Sequence, residues 1–489
     1  MATKSPLLKA IYRDSLSLLT DLYELTMAYA YWKNGLADRE AAFQLFFRKE
    51  PFKGTFAICA GIEVACEFIE SFSFTEEDLA YLASLKTPAG GTLFEEDFLK
   101  FLQTMPMTLE VDAVEEGTPI FPYEPFIRVQ GPIIQAQIIE SALLNIVNFQ
   151  TLIATKAARV AFAADGDHVV EFGLRRAQGI DGAIAASRAA YIGGCHSTSH
   201  TLAGKLFGIP VMGTQAHSWV MTFEEEKEAF RAFANALPGN CIFLIDTYNT
   251  IEGVKRAVEV MKEEKGRFPL IGVRLDSGDL NALSKQVRAV LDEAGLTETK
   301  IMATNELTEQ IIWDLKHQGA KIDIWGVGTN LVTAKDQPAL DGVYKLSAVQ
   351  DEQKKWRSCL KISEQVIKTT NPGVSQVRRY TNGGEYVADM LYDVGMGPGE
   401  TIVHHTDPGA KKAVEKGWTG QDLIVPMLRK GKSVYIHPPL EKMRERTTSE
   451  LGRFPQGIRR FLNPQLYFSG IEESLFAKKI EMIEQIKKR

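Results

Sequence analysis

A chain of 489 residues is too long for one compact core, so two or three domains are expected. Hydrophobic residues make up 45% and charged residues 24%, an ordinary soluble balance, and the formal charge of −6 argues against a protein whose main task is holding nucleic acid. The cysteines (Cys59, Cys66, Cys195, Cys241 and Cys359) include no C-x-x-C pair, and no apolar run reaches a membrane span. Reduced thiols, no membrane partner and a cytoplasmic location are therefore expected.

Residues 14–33 carry apolar positions near helical spacing, and "AAFQLFFRKEPF" (41–52) reads as a strand. "TEEDLAYLASL" sets Thr75 three positions ahead of Asp78, the signature of a capped helix start. Residues 109–132 alternate β-favouring residues with turn signals, and 136–164 has the periodicity of one or two helices. From 165 to 340 a pattern recurs: a short apolar run, a polar or glycine-rich tip, then a helical segment. The tips at Thr214, Asp246, Asp276, Thr304 and Gly328 are spaced roughly 30 residues apart, about the length of one βα unit. This predicts a parallel sheet, open or closed into a barrel, with its polar tips at the carboxyl ends of the strands, where α/β folds gather their active sites. Beyond 340, "KLSAVQ", "SCLKIS" and "EYVADMLYDV" read as strands, and "IEESLFAKKIEMIEQIKKR" as an amphipathic helix with a basic end.

The tips carry the chemistry. In "VRLDSGDL" (273–280) a strand runs into Ser277 and Gly278 just before a helix, a place where exposed amides favour a phosphate. Arg274 and Asp276 lie two apart on that strand and share a face, which suits a site meeting anions together with ribose hydroxyls or a magnesium ion. "GVGTN" (326–330) offers a second glycine-rich cradle through Gly326, Gly328 and Thr329. "EFGLRRAQG" (171–179) puts Arg175 and Arg176 at another tip. Asp246 follows an apolar run, where a carboxylate must cap or pair, and the choices are a helix N-cap or a partner for His217 in "VMGTQAHSWV" (211–220).

"LTDLYELTMAYAYW", "EEGTPIFPYEPFIRVQGP", "LLNIVNFQTLIATKAAR", "EFGLRRAQG", "GTQAHSW", "VRLDSGDL" and "GVGTNLVT", in this order, resemble the nicotinate phosphoribosyltransferases, a type II phosphoribosyltransferase family. The resemblance covers about residues 14–335 and weakens beyond. It implies an α/β fold with an irregular parallel barrel, a split β-rich second domain and a C-terminal extension. The corresponding boundaries are 1–135, 136–345 for the catalytic domain, and 346–489 packing on the N-terminal domain. It also implies a homodimer with a shared active site.

The implied reaction joins nicotinate to phosphoribosyl pyrophosphate, giving nicotinate mononucleotide and pyrophosphate for NAD salvage. ATP hydrolysis is coupled to it through a phosphohistidine. On this chain the resemblance makes His217 that histidine, with Asp246 holding its ring. Arg175 and Arg274 meet the pyrophosphate and the nicotinate carboxylate. Asp276, Ser277, Gly278, Gly326, Gly328 and Thr329 bind the ribose phosphate, and Thr214, Phe172 and Ser199 are further substrate contacts. Tyr23, from the partner subunit, stacks on the pyridine ring. Asp276 and Asp279 are the candidates for magnesium carried by pyrophosphate. In "GGCHSTSH" (193–200) no carboxylate appears where a nicotinamide-using relative has an aspartate. His196, Ser197, Thr198, Ser199 and His200 instead offer donors to an acid. His200 departs from the family's asparagine. Rival readings are a nicotinamide phosphoribosyltransferase, a barrel lyase or aldolase using Lys205 or Lys335 as a Schiff base, and a non-enzymatic sensor of NAD metabolites.

Overall fold

The computed structural model describes residues 15–264, 267–362 and 369–488. They fall into two units, one holding residues up to 151, 339–438 and 449 onward, the other 152–338 and 439–448.

In the first unit the opening helix spans Leu22–Lys33, shorter than the predicted 14–33. Residue 14 lies outside the described residues. Asp21 has extended backbone, and the Thr20 hydroxyl donates to the Glu24 carboxylate, so the chain from 15 to 21 turns before it coils. The helix Glu76–Ser84 starts where the spacing predicts. Thr75 Oγ1 accepts from the Asp78 amide at 3.2 Å, and Asp78 Oδ2 accepts from the Thr75 amide at 3.0 Å. The 109–132 segment gives strands Glu110–Val114, Pro119–Ile120 and Ile127–Pro132.

Two of these enter an antiparallel seven-stranded sheet ordered Trp356–Ser358, Val343–Gln350, Glu40–Phe46, Ile127–Pro132, Glu110–Val114, Ile424–Arg429, Lys432–Ser433. The predicted "SCLKIS" strand is strand only at Ser358, and its residue 363 is not described. "EYVADMLYDV" forms Glu385–Asp393, which pairs antiparallel with Ser375–Asn382 and parallel with Ser469–Glu472 in a six-stranded sheet. Gln44 Nε2 donates to Gly373 O and Ser375 Oγ, each at 2.8 Å, and Arg128 Nη1 donates to Ser375 O at 2.8 Å, tying the two sheets together.

The second unit is built on an all-parallel sheet of β1 (His168–Glu171), β2 (Ser197–Thr198), β3 (Ile242–Leu244), β4 (Gly272–Leu275), β5 (Lys300–Ala303) and β6 (Ile324–Val327). Its order is β2-β1-β6-β5-β4-β3. The run "IPVMGTQAH", expected as a strand, contributes one parallel bridge, Val211 to Thr198. Among the described residues no backbone pair links that edge to β3, so the ladder is an α/β parallel sheet without hydrogen-bonded closure into a barrel. The strands are short because each is buried and soon reaches a polar tip. Helices Thr250–Glu263, Leu280–Glu293 and Glu309–His317 then begin at side-chain caps, with Asn249, Asp279 and Thr308 accepting from amides in their first turns. All five cysteines are free thiols, and no described helix is long and apolar enough to cross a membrane.

Candidate active site

At the carboxyl ends of these strands lies a cleft of about 450 Å³, within the size range of small-molecule sites. Strand β1 and its following turn bring Phe172, Arg175 and Arg176, and Ser199 follows β2. Thr214 and Gln215 come from the segment before the short helix His217–Met221. Arg274 and Asp276 end β4, Thr304, Asn305 and Glu306 follow β5, and Gly326, Gly328 and Thr329 end β6. Residues from six separate tips thus meet in one place; of the tips that set the spacing, those of Thr214, Asp276, Thr304 and Gly328 line the cleft, and that of Asp246 does not.

Arg274 is the cation at the end of β4. Its Nη1 donates to Thr214 Oγ1 at 2.5 Å, while its Nε is buried without a partner. Burial lowers the guanidinium pKa, Asp276 and Asp246 oppose that, and Arg175 adds to it. An under-coordinated arginine beside further arginines is the electrostatic form of an anion site.

Asp276 is held from both sides. Its amide donates to Asp246 Oδ2 at 2.8 Å, its Oδ1 accepts from the Thr304 hydroxyl, and its Oδ2 lies 3.8 Å from His217 Nε2. Asp246 also accepts from Ser277 Oγ at 2.7 Å, and its Oδ1 is buried and unpartnered. The expected Asp246–His217 pair is therefore not formed. Asp246 is committed to the backbone and hydroxyl of the next strand's tip, and His217 Nδ1 instead meets Thr247 Oγ1 at 3.1 Å. A sequence places Asp246 and Thr247 at the same tip but does not say which of them turns toward the ring.

Other expected residues stand elsewhere. Ser277 and Gly278 are exposed and do not line the cleft. The helix amides beyond them are already used, since Asp279 Oδ1 accepts from Asn281 N at 3.0 Å and Ala282 N at 3.1 Å. The glycines of β6 answer to packing: a Cβ on Gly326 would come within 2.6 Å of Thr304 Cγ2, and one on Gly328 within 3.1 Å of Phe172 O. His196 sits at the opposite end of the strands, stacked on His168 with ring centroids 4.7 Å apart. Burial, with His168 and Arg444, lowers its pKa to about 4. His200 is buried behind the cleft, its Nδ1 3.2 Å from Ser187 Oγ, and Ser187 and Thr198 both donate to Glu171. Tyr23 belongs to the other unit and is 46% exposed. Lys205 and Lys335 are exposed and neither lines the cleft, which leaves the Schiff-base reading without a lysine there.

Sequence reasoning missed Thr247, Gln215, Asn305 and Glu306. Asn305 has φ +98°, rare for a non-glycine residue, and such strain gathers at functional tips. Gln215 is buried with both amide atoms unpartnered. The only signal for these four was their position beside tips already marked.

No group of three or more His, Cys, Asp or Glu able to hold a metal occurs among the described residues. A magnesium ion here would need a phosphate ligand as well as protein oxygens. Asp276 Oδ2 fits that role, whereas Asp279 is occupied as a helix cap.

Three family models match the chain. The nicotinate phosphoribosyltransferase N-terminal domain covers residues 18–148, the nicotinate phosphoribosyltransferase family 168–383, and the C-terminal domain of the same enzymes 375–479. The chain is 41% identical over 485 residues to a nicotinate phosphoribosyltransferase of Bacillus subtilis, covering 97% of each. It is 32% identical to one of Rattus norvegicus, covering 94% of this chain and 95% of the relative. A crystal structure of human nicotinic acid phosphoribosyltransferase superposes with a TM-score of 0.80 at 28% identity, covering 95% of this chain and 99% of that one.

Proposed function

Since the chain belongs to the nicotinate phosphoribosyltransferase family, we propose that it transfers phosphoribosyl from phosphoribosyl pyrophosphate to nicotinate in NAD salvage. The observation that carries this is Arg274: a part-buried guanidinium with one hydrogen bond, in a cleft shared with Arg175, Arg176 and Asp276. The lone pair of the pyridine nitrogen forms the bond to ribose C1. The bond from C1 to pyrophosphate oxygen breaks, and its electrons leave with pyrophosphate. Positive charge grows on the sugar and negative charge on the leaving group, so positioning and charge neutralisation do most of the work. The arginines receive the anions. Asp276, fixed by Asp246 and Thr304, faces the sugar, and Thr214, Phe172 and Ser199 border the base. Asp276 would hold a magnesium ion brought with the pyrophosphate, and that ion would supply further neutralisation of the leaving group's charge.

In this reading His217 takes phosphate from ATP and couples ATP hydrolysis to the transfer. Tyr23 is supplied by a second copy of the chain in a dimer. The parallel sheet is taken as part of an irregular barrel, and the enzyme works in the cytoplasm. The cleft-facing residue of the 193–200 stretch is Ser199, and the stretch holds no carboxylate to accept from an amide NH₂ or to repel a substrate carboxylate, which supports the acid over the amide of the substrate pair.

The test incubates the full chain with labelled ATP, nicotinate and phosphoribosyl pyrophosphate, and measures the mononucleotide, pyrophosphate and acid-labile protein phosphate. All three are expected. Ligand binding without pyrophosphate release would refute the enzyme, and turnover of nicotinamide equal to that of nicotinate would refute the substrate. In His217→Ala the ATP-coupled rate is expected to vanish while slow uncoupled transfer stays measurable. Equal loss of both rates would remove the phosphohistidine.

A further inference from the structure

The His217 ring makes one hydrogen bond, and its partner is Thr247 Oγ1, 3.1 Å from Nδ1. The other nitrogen faces Asp276 Oδ2 at 3.8 Å, beyond hydrogen-bonding distance. Asp246, one residue before Thr247, is turned to Asp276 N and Ser277 Oγ. The ring stands at the first position of the short helix His217–Met221 and is 40% exposed, so packing alone does not fix its rotation about Cβ–Cγ. A hydroxyl both donates and accepts, so it can hold either tautomer at Nδ1. An acceptor-only carboxylate would demand a proton there.

We propose that Thr247 is a positioning residue that holds the His217 ring in one orientation and thereby selects which ring nitrogen receives phosphate. This rests on the phosphohistidine reading above. In that step the lone pair of one nitrogen forms the N–P bond to the terminal phosphorus of a nucleoside triphosphate. The P–O bond to the nucleoside diphosphate breaks with its electrons on oxygen, and the proton on the other nitrogen stays in place. A ring free to turn would offer both nitrogens, whereas a ring tethered at Nδ1 offers one.

The test compares the full-length wild type with Thr247→Val, which keeps the shape and loses the hydroxyl, and Thr247→Ser, which restores it. The first readout needs no turnover: the Nδ1 resonance of ¹⁵N-labelled His217 in the metal-free, ligand-free enzyme. It is expected to move in Thr247→Val and return in Thr247→Ser. An unchanged resonance in Thr247→Val overturns the proposal, whether or not His217 is phosphorylated. The second readout is the isomer of phosphohistidine formed with labelled ATP. One isomer is expected in the wild type and in Thr247→Ser, and both isomers in Thr247→Val, with about tenfold less label, the scale of one lost hydrogen bond. The same single isomer in all three overturns the proposal. No label in the wild type refutes the phosphohistidine reading, and the resonance then decides alone whether Thr247 tethers the ring.

Discussion

Arg379 and Arg274 both sit on strands, one in each unit, and they are treated in opposite ways. Arg379 is 1% exposed and ion-paired, although its Nη1 is buried without a hydrogen bond, 3.9 Å from Glu450 Oε2. Its Nε and Nη2 grip Asp389 at distances from 2.6 to 3.1 Å, Nη2 also donates to Pro119 O at 2.9 Å, and Tyr467 donates to the same aspartate at 2.9 Å. Phe121, Tyr386 and Phe454 pack around the guanidinium, with ring centroids 5.1 to 5.5 Å away. Burial works against that charge, yet Asp389 outweighs it and the pKa rises. Arg274 has one side-chain partner, an unpartnered Nε and a lowered pKa. Each arginine keeps one buried nitrogen unbonded, so the difference is the ion pair: a buried charge that the protein pairs with a carboxylate serves the fold, while one without an ion pair in a cleft is available to a ligand.

Removing the ion-paired arginine gives the largest effect. Arg379→Met leaves Asp389 buried without its cation, and unfolding in urea should show a loss of about 3–5 kcal/mol. A loss under about 1 kcal/mol would mean the pair contributes no more than an exposed one, and the contrast would fail. Arg274→Ala should do the reverse, leaving the urea midpoint nearly unchanged while kcat/KM falls by about 100- to 1000-fold, as when a donor to developing negative charge is lost. Wild-type kinetics in that variant would remove Arg274 from the site.

Asp246 lies between these cases, because its partners are protein groups but its effect is on the cleft. Asp246→Ala frees the Asp276 amide and the Ser277 hydroxyl, and kcat/KM should fall about 10- to 100-fold, the range for residues that support a site from behind. Asp246→Asn keeps an acceptor oxygen for the same two donors and should recover most of that loss. An Asn variant as slow as the Ala variant would assign the effect to the charge and not to the brace.

The sequence carried the repeating βα plan well, because runs such as "CIFLIDT" and "GVRLDSG" announce a buried strand and its polar tip together. It carried β2 poorly. Ser197 and Thr198 are polar and form a two-residue strand with no hydrophobic pattern, while the apolar run beside Val211 makes a single bridge. The sheet, not local composition, decided between them, since the edge of β1 is completed by the Ser197–Thr198 backbone. The segment 136–164 left one helix or two undecided. The break falls at Ile139, between Ile133–Ile138 and Glu140–Ala164. In the site, the residue types at each tip were legible and the pairing between tips was not. Which of Asp246 and Thr247 faces His217 depends on how β3 and β4 are staggered, a tertiary property with no trace in either segment.

Lys479 sharpens the contrast, because it is an under-partnered charge far in sequence from the cleft residues. Its ammonium has one hydrogen bond, to Asn371 Oδ1 at 2.8 Å, and burial lowers its pKa to about 8. A lysine whose folded pKa lies below its unfolded value binds its proton more tightly when unfolded. Charged Lys479 therefore costs stability below pH 8, and the cost is relieved as pH rises from about 8 toward the unfolded value. The shift corresponds to about 3 kcal/mol, and losing the Asn371 bond returns about 1 kcal/mol of that. Lys479→Met should thus be stabilised by about 2 kcal/mol at neutral pH, with the advantage over the wild type shrinking between pH 8 and 10.5 in urea unfolding. Its kcat/KM should match the wild type, since an unsatisfied charge marks a ligand site only where a cleft gives the ligand access. A Lys479→Met enzyme that is more stable but tenfold slower would show that incompleteness of charge alone, without a cleft, is enough to signal function.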